Sequence, residues 1–152
     1  MTSNERRRPL PPTYLLLGLA AIVAFHFLLS GPRLVGGAWR LVGLAVGVVG
    51  FGLMLWSDAL FKRLGTTIRP FRESEVLVTV GPYRLSRHPM YLSFMMMVAG
   101  AAVFAGTLLP LLVVPVMAWL FHAHFVMPEE RHMAEQYGSR YEEYRARVRR
   151  WI

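Results

Sequence analysis

Four apolar runs separated by short charged stretches dominate the chain. They cover residues 14–29, 34–61, 90–109 and 111–126. Runs of this length are typical of helices that cross the hydrocarbon core of a bilayer. The pattern therefore predicts an all-α membrane protein with four transmembrane helices, a connecting loop over residues 62–89 and a polar tail over residues 127–152.

The last two runs are separated by few polar residues. Gly106 and Thr107 stand between them, with Pro110 close behind, and no charged residue is present to hold a long loop in water. The sequence therefore predicts a tight helical hairpin. Residues 76–80, VLVTV, predict a short extended segment rather than a sheet.

The polar tail predicts two short helices. Pro128 can begin the first because its missing N–H is unpaired there in any case, and Gly138 can end it. Ser139 begins the second, with Glu142 completing a capping box. The second helix carries an aromatic and apolar stripe, expected to lie on the membrane surface or to cover a site. The stripe consists of Tyr141, Tyr144, Val148 and Trp151.

Composition and charge support a membrane location. The chain has 152 residues, enough for one domain, of which 55% are hydrophobic, and the net charge is +8. Of 17 Lys and Arg residues, only Arg33, between the first two runs, and Arg40, near the start of the second, lie near the side opposite the termini and the 62–89 loop. Positive flanks stay in the cytoplasm, so both termini are expected there, with the helices in the cell inner membrane. The expected partners of the positive charge are membrane lipids, not nucleic acid.

The stretch GPYRLSRHPMYLS, residues 81–93, concentrates polar chemistry between two apolar runs. Arginine and tyrosine could form a simple collar at the membrane surface. A collar does not require Gly81, Pro82 and Pro89, which define a backbone path. The concentration of polar and turn-forming residues in this stretch therefore favours a functional site. Glu129 and Glu130 follow the last run, where one acid would be enough to complement the helix dipole.

Other chemistry is less favoured by the residues. Cysteine is absent, which excludes thiolate nucleophiles and thiolate metal sites. His122 and His124 are two residues apart and point to different faces of a helix, so no metal site is expected. His26 is expected to be a packed histidine within the first helix.

These motifs resemble the isoprenylcysteine carboxyl methyltransferase family and the related phospholipid methyltransferases. The resemblance covers about residues 69–152 and rests on G-x-Y-x-x-x-R-H-P-x-Y, a following Glu-Glu pair and a tail of the form Y-G-x-x-Y-x-x-Y-x-x-x-V. It implies S-adenosylmethionine as methyl donor, bound on the cytoplasmic side, and a small lipophilic acceptor, either a prenylcysteine-like carboxylate or a lipid amine.

The resemblance also implies site residues. The implied donor-binding residues are Glu75, Val76, Leu77, Val78, Tyr83, His88, Pro89, Met90, Tyr91 and Glu129. Aromatic faces and a carboxylate suit a positively charged sulfonium. The expected catalytic residues are Glu129, Glu130 and Arg87. A carboxylate acceptor needs no general base, whereas an amine acceptor must lose a proton, for which either glutamate or a histidine is suitable.

The sequence departs from the family at the acceptor side. Members that methylate prenylcysteine have an arginine four residues before the donor-side glutamate, and this chain has Phe125 there. Either the acceptor is not a carboxylate or another cation replaces the arginine, so His124 and Arg131 are the expected acceptor-binding residues. A nicotinamide-dependent sterol-type reductase, which shares the Arg-His-Pro pattern, and a non-catalytic membrane scaffold stay as alternatives.

Overall fold

The computed structural model describes residues 10–29, 31–64 and 77–152 of the chain. These residues form six α-helices. They are α1 (Pro11–Leu28), α2 (Trp39–Arg63), α3 (Pro89–Ala105), α4 (Leu108–Phe121), α5 (Met127–Tyr137) and α6 (Ser139–Arg147). Over the described residues there is no β-strand, only an isolated bridge between Arg33 and Thr107. The predicted all-α fold is confirmed.

Within the described residues, three helical segments are long and apolar enough to cross a membrane. They are α1, α2 and the continuous segment Leu108–Tyr137 that contains α4 and α5. Helix α3 is also apolar but has 17 residues, at the lower limit for a span. An integral membrane protein is therefore supported, and the fourth crossing stays a prediction.

The predicted boundaries need correction at several helix ends. Helix α2 begins at Trp39, not at residue 34, because Gly37 has a positive φ of 57° that interrupts helical geometry. Helix α3 ends at Ala105 instead of residue 109, and α4 begins three residues before the predicted position. Gly106, with φ of 73°, ends α3 as a left-handed cap. The hairpin at Gly106 and Thr107 is confirmed, whereas Pro110 lies inside the first turn of α4.

The segment after α4 is continuous, contrary to the predicted separate helix. A π-helical turn over His122–Val126 joins α4 to α5. Pro128 explains the wider turn, because it cannot donate to a carbonyl four residues earlier and its ring would clash there. Gly138 does end α5, with φ of 51°. The turn rotates the start of α5 relative to α4, and Glu129 and Glu130 follow immediately.

The packing of α2 against α3 depends on glycine. A Cβ on Gly43 would lie 2.7 Å from the Gly100 carbonyl oxygen, and one on Gly100 would lie 2.6 Å from the Gly47 nitrogen. The two backbones are therefore in direct contact, which is the role expected for small residues spaced four apart in a membrane helix. Helices α1 and α4 pack on the other side of α3 around Phe94, Val98 and their neighbours.

The predicted capping box of α6 is wrong. The N-cap of α6 is Gly138, and no side chain caps the helix. Glu142 instead contacts Arg145 one turn later, with 3.4 Å between Oε1 and Nη1. Two residues of the predicted stripe are buried, since Tyr141 is 1% and Tyr144 4% exposed. Val148 and Trp151 follow the end of α6 and are half-buried. Helix α6 therefore packs on the protein, at the end of the bundle where α3 begins.

Candidate active site

A short 3₁₀ turn, Gly81–Arg84, opens the candidate site. Gly81 has a φ of 61°, a conformation that glycine adopts without strain. The turn buries Tyr83, whose backbone carbonyl accepts a hydrogen bond of 2.7 Å from the Tyr144 hydroxyl. Helix α6 thus holds the turn in place.

The C-terminal segment after α6 binds the next residues of the loop. The Ser86 hydroxyl donates to the Arg150 carbonyl at 3.0 Å, and the Arg87 backbone N–H donates to the Arg149 carbonyl at 3.1 Å. The Ser86 hydroxyl also accepts the backbone N–H of His88 at 3.1 Å. The segment therefore defines the path of the chain into α3.

Glu130 lies at the centre of a buried ion-pair network. Its Oε1 is 2.9 Å from Arg87 Nη2 and 3.3 Å from His88 Nε2. Arg150 makes a bidentate pair with it, at 3.0 Å from Nε to Oε1 and 2.6 Å from Nη2 to Oε2. We call Glu130, Arg87, His88 and Arg150 the Glu130 network.

The Glu130 network fixes the charge of its central carboxyl. Burial by itself raises the pKa of Glu130, but hydrogen bonds from His88 and Arg150 outweigh burial and lower the pKa to about 2. A carboxylate held this firmly in its ionised form is a weak proton acceptor at neutral pH. The geometry therefore favours a positioning role for Glu130.

Glu129 lies in the opposite environment. Its side chain is 22% exposed, yet Oε2 is buried and has no hydrogen-bond partner among the described residues. His88 Nδ1 lies 3.9 Å from Oε2. Burial raises the pKa of Glu129, although His88 and a hydrogen bond with Tyr91 act in the other direction. An incompletely paired carboxylate therefore lies beside the network.

Aromatic rings surround this carboxylate. The ring centroids of His88 and Tyr91 are 5.8 Å apart, and those of His88 and Trp151 are 6.4 Å apart. Burial raises the pKa of Tyr83, and the negative charge of Glu129 raises it further, so this phenol stays neutral. We call Glu129, Tyr83 and Tyr91 the Glu129 pocket, and Trp151 lies beside it against His88.

Most of the predicted donor-binding residues meet at this position. His88, Pro89, Met90 and Tyr91 form the junction where the loop enters α3. Val78 is buried and Leu77 is half-buried in the preceding extended segment, whereas Glu75 and Val76 lie outside the described residues. The sequence reasoning singled out Tyr144 and Trp151 as members of a stripe, and it missed Ser86 and Arg150. The only available signal for those two was the density of the neighbouring motifs.

The predicted acceptor-binding residues lie apart from the Glu129 pocket. His124 is exposed, and its Nδ1 is 3.2 Å from the Leu120 carbonyl oxygen. Arg131 is exposed on α5. Phe125 is 4% exposed and stacks on Tyr91 with centroids 5.9 Å apart, so an apolar ring fills the position of the missing arginine. Within the described parts of the chain, no three His, Asp or Glu residues group as metal ligands.

The family model for phospholipid methyltransferases matches residues 39–140, about two thirds of the chain. The chain belongs to the phospholipid methyltransferase family. The matched region includes Tyr83, Tyr91 and Glu129 and ends before Trp151. No solved structure matches the chain.

The curated proteins that are similar to this chain are named protein-S-isoprenylcysteine O-methyltransferases. The chain is 30% identical over 76 residues to protein-S-isoprenylcysteine O-methyltransferase of Schizosaccharomyces pombe, covering 50% of this chain and 32% of the relative. It is 33% identical over 76 residues to protein-S-isoprenylcysteine O-methyltransferase B of Arabidopsis thaliana, covering 50% and 39%. It is 32% identical over 82 residues to protein-S-isoprenylcysteine O-methyltransferase of Saccharomyces cerevisiae, covering 53% of this chain and 34% of the relative. The chain thus spans about a third of the length of these relatives.

Proposed function

We propose that the protein is a membrane methyltransferase that uses S-adenosylmethionine to methylate a lipophilic acceptor. The observation that carries the proposal is the buried Oε2 of Glu129, which has no hydrogen-bond partner among the described residues and lies beside Tyr83 and Tyr91. S-adenosylmethionine supplies a methyl group on a positively charged sulfonium. Two aromatic rings fit that charge, and so does a carboxylate that lacks a full set of hydrogen-bond partners among the described residues.

Glu129 stabilises the bound cation by direct charge attraction. At 4 Å, opposite unit charges near a protein surface attract by about 4 kcal/mol. Tyr83 and Tyr91 add attraction through the faces of their rings. The anionic end of the donor suits the first turn of α3, where the backbone N–H groups of Met90 and Tyr91 precede the first intrahelical bonds.

The Glu130 network acts as a positioning element in this proposal. It fixes His88, one side chain away from Glu129, and connects the loop to the C-terminal segment. Arg87 and Glu130, expected as catalytic from the sequence, would then act through the residues that they hold. Methyl transfer is sensitive to alignment of the reacting atoms, so a fixed loop contributes to the rate.

The acceptor is proposed to approach from the apolar side, past Phe125. A carboxylate acceptor needs no general base, so alignment in a desolvated site is enough. An amine acceptor needs a proton acceptor, and the raised pKa of Glu129 suits that task better than the pKa of Glu130. Comparing methyl transfer to a prenylcysteine and to a lipid amine distinguishes the two acceptors.

We propose that α1, α2, α3 and α4 all cross the inner membrane, with both termini cytoplasmic. The tight α3–α4 hairpin and the charge asymmetry support this topology. Single cysteines at Ser139 and Gly36 test it, because the chain has no native cysteine. They should react with an impermeant maleimide from opposite sides, and labelling from the same side contradicts the topology.

Calorimetry on the detergent-purified full chain tests the donor site. We expect S-adenosylmethionine and its demethylated product, S-adenosylhomocysteine, to bind, and NADPH not to bind. Glu129→Gln should weaken binding of S-adenosylmethionine about 100-fold. Glu135→Gln, which changes an exposed acid on the same helix, should not weaken it. Binding of NADPH alone would support a reductase, and absence of binding by all three would support a non-catalytic scaffold.

A further inference from the structure

A groove lies between α1, α2 and α3, outside the candidate active site. Helices α1 and α2 both pack on α3 but make little contact with each other, which leaves a cavity of about 660 Å³ between them. This volume is in the range of small-molecule and lipid-sized pockets. The lining is apolar except at one end, where His26 and Arg40 lie.

Glycine forms part of the groove floor. A Cβ on Gly43 would clash with α3, but one on Gly47 would meet nothing within 4 Å. Gly47 thus lines the groove without a side chain to fill it. The walls include Val23, Leu44 and Val48, each more than half exposed. In a bilayer, this groove is open to acyl chains.

The polar end of the groove has unused binding capacity. Arg40 is held in place by a 3.0 Å hydrogen bond from Nε to the Phe104 carbonyl, and its Cζ lies 4.8 Å from the centre of the Phe104 ring. Among the described residues, none supplies a carboxylate within salt-bridge distance of Arg40. His26 Nδ1 is buried and has no hydrogen-bond partner in the described part of the chain. A phosphate could accept hydrogen bonds from Arg40, and an ester carbonyl could accept one from His26.

We propose that the groove binds one acyl chain of an anionic phospholipid, with the phosphate at Arg40 and an ester group at His26. A guanidinium binds phosphate through charge-assisted hydrogen bonds, and the net charge of the headgroup decides the class of lipid, because a zwitterionic headgroup adds a cation that Arg40 repels. Phe104 is 15 residues after Pro89, about 22 Å along α3, so the phosphate end is far from the Glu129 pocket. The proposal is therefore independent of the proposed function.

Native mass spectrometry of the delipidated full chain tests the proposal. Dioleoyl phosphatidylglycerol and dioleoyl phosphatidylcholine, which share acyl chains, are titrated separately. The first should bind about tenfold more tightly, because the choline cation of phosphatidylcholine offsets the attraction between its phosphate and Arg40. Arg40→Gln should remove this preference. Equal affinities in the unmodified chain would overturn the proposal.

Two glycine variants locate the site. Gly47→Leu fills the groove and should weaken binding of both lipids by at least about tenfold. Gly52→Leu, on the same helix but outside the groove lining and also facing open space, is the matched control and should change neither affinity. Both variants improve helix propensity, and circular dichroism checks that each is folded.

Three results would overturn the groove as a lipid site. The first is an equal effect of Gly47→Leu and Gly52→Leu. The second is lipid binding that Gly47→Leu leaves unchanged. The third is a dimer peak that Gly47→Leu removes without any lipid adduct, which would make a second copy of the chain the occupant. S-adenosylhomocysteine binding, measured in parallel, reports on the proposed function separately.

Discussion

Glu129 and Glu130 are adjacent in the chain, but the structure gives them opposite surroundings. The Glu130 network pairs its carboxylate with two arginines and a histidine, and the pKa falls to about 2. The Glu129 pocket leaves one carboxylate oxygen buried without a hydrogen-bond partner in the described part of the chain, and burial raises the pKa of Glu129. The first arrangement stabilises the fold, whereas the second is a cost that a positively charged ligand would offset.

Glu130→Ala should have the largest effect on stability. It leaves Arg87 and Arg150 without their shared partner, and breaking a buried pair in this way costs about 3–5 kcal/mol. We expect a lower thermal unfolding midpoint in detergent, measured by circular dichroism. The control is Glu143→Ala, which removes an exposed contact of 3.9 Å with Arg147 and should change little. Equal midpoints for the two variants would contradict the network as a structural element.

Glu129→Gln should separate stability from function. The amide removes an ionised group whose folded pKa is raised, so the unfolding midpoint at neutral pH should stay the same or rise. Affinity for S-adenosylmethionine should fall about 100-fold, corresponding to about 3 kcal/mol of lost charge attraction. A variant that loses stability and keeps its affinity would reverse the roles assigned to the two glutamates.

The pH dependence of donor binding should follow Glu129. Because burial raises its pKa, its charge is lost as the pH falls to that pKa, and affinity for the sulfonium should fall with it. The uncharged thioether of S-adenosylhomocysteine should not show this dependence. Calorimetry at increasing pH, starting from the ordinary carboxyl pKa of 4.5, gives the ratio of the two affinities, which should rise with pH in the unmodified chain and stay flat in Glu129→Gln. A flat ratio in both contradicts the direct contact.

The Glu130 network should weaken only in acid. The pKa of Glu130 in the folded protein is about 2, below the ordinary value of 4.5. The stability that this carboxylate contributes is therefore present above pH 4.5 and is lost progressively towards pH 2. Unfolding midpoints measured from pH 6 to 3 should fall more steeply for the unmodified chain than for Glu130→Gln. Parallel curves would show that other groups control the acid transition.

Tyr144→Phe should have the smallest effect of these changes. It removes the 2.7 Å hydrogen bond to the Tyr83 carbonyl, worth about 1 kcal/mol, and should weaken donor binding a few-fold by loosening the turn. Tyr141→Phe is the matched control, because the Tyr141 hydroxyl is buried without a hydrogen-bond partner among the described residues. Removing that hydroxyl should be neutral or stabilising. Similar losses in both variants would mean that α6 does not position Tyr83 through this bond.

Most helix positions could be predicted from the sequence, but the junction between α4 and α5 could not. Apolar runs and helix-ending glycines are local signals, so α1, the α3–α4 hairpin and the end of α5 could be predicted. The junction of α4 and α5 was predicted as a break, because Pro128 was interpreted as a helix start. A π-helical turn accommodates it instead, and this outcome depends on how the whole segment packs against α1 and α3.

The sequence by itself determined the apolar helices, the concentration of Lys and Arg in the termini and the 62–89 loop, and the residue types of the candidate site. Only the tertiary structure decided which acid is paired. Arg150 reaches Glu130 because the C-terminal segment folds back on Ser86, 64 residues earlier in the chain, and no local pattern encodes that return. Burial and pairing depend on all neighbours in space, so two adjacent glutamates with the same intrinsic chemistry acquire opposite pKa shifts.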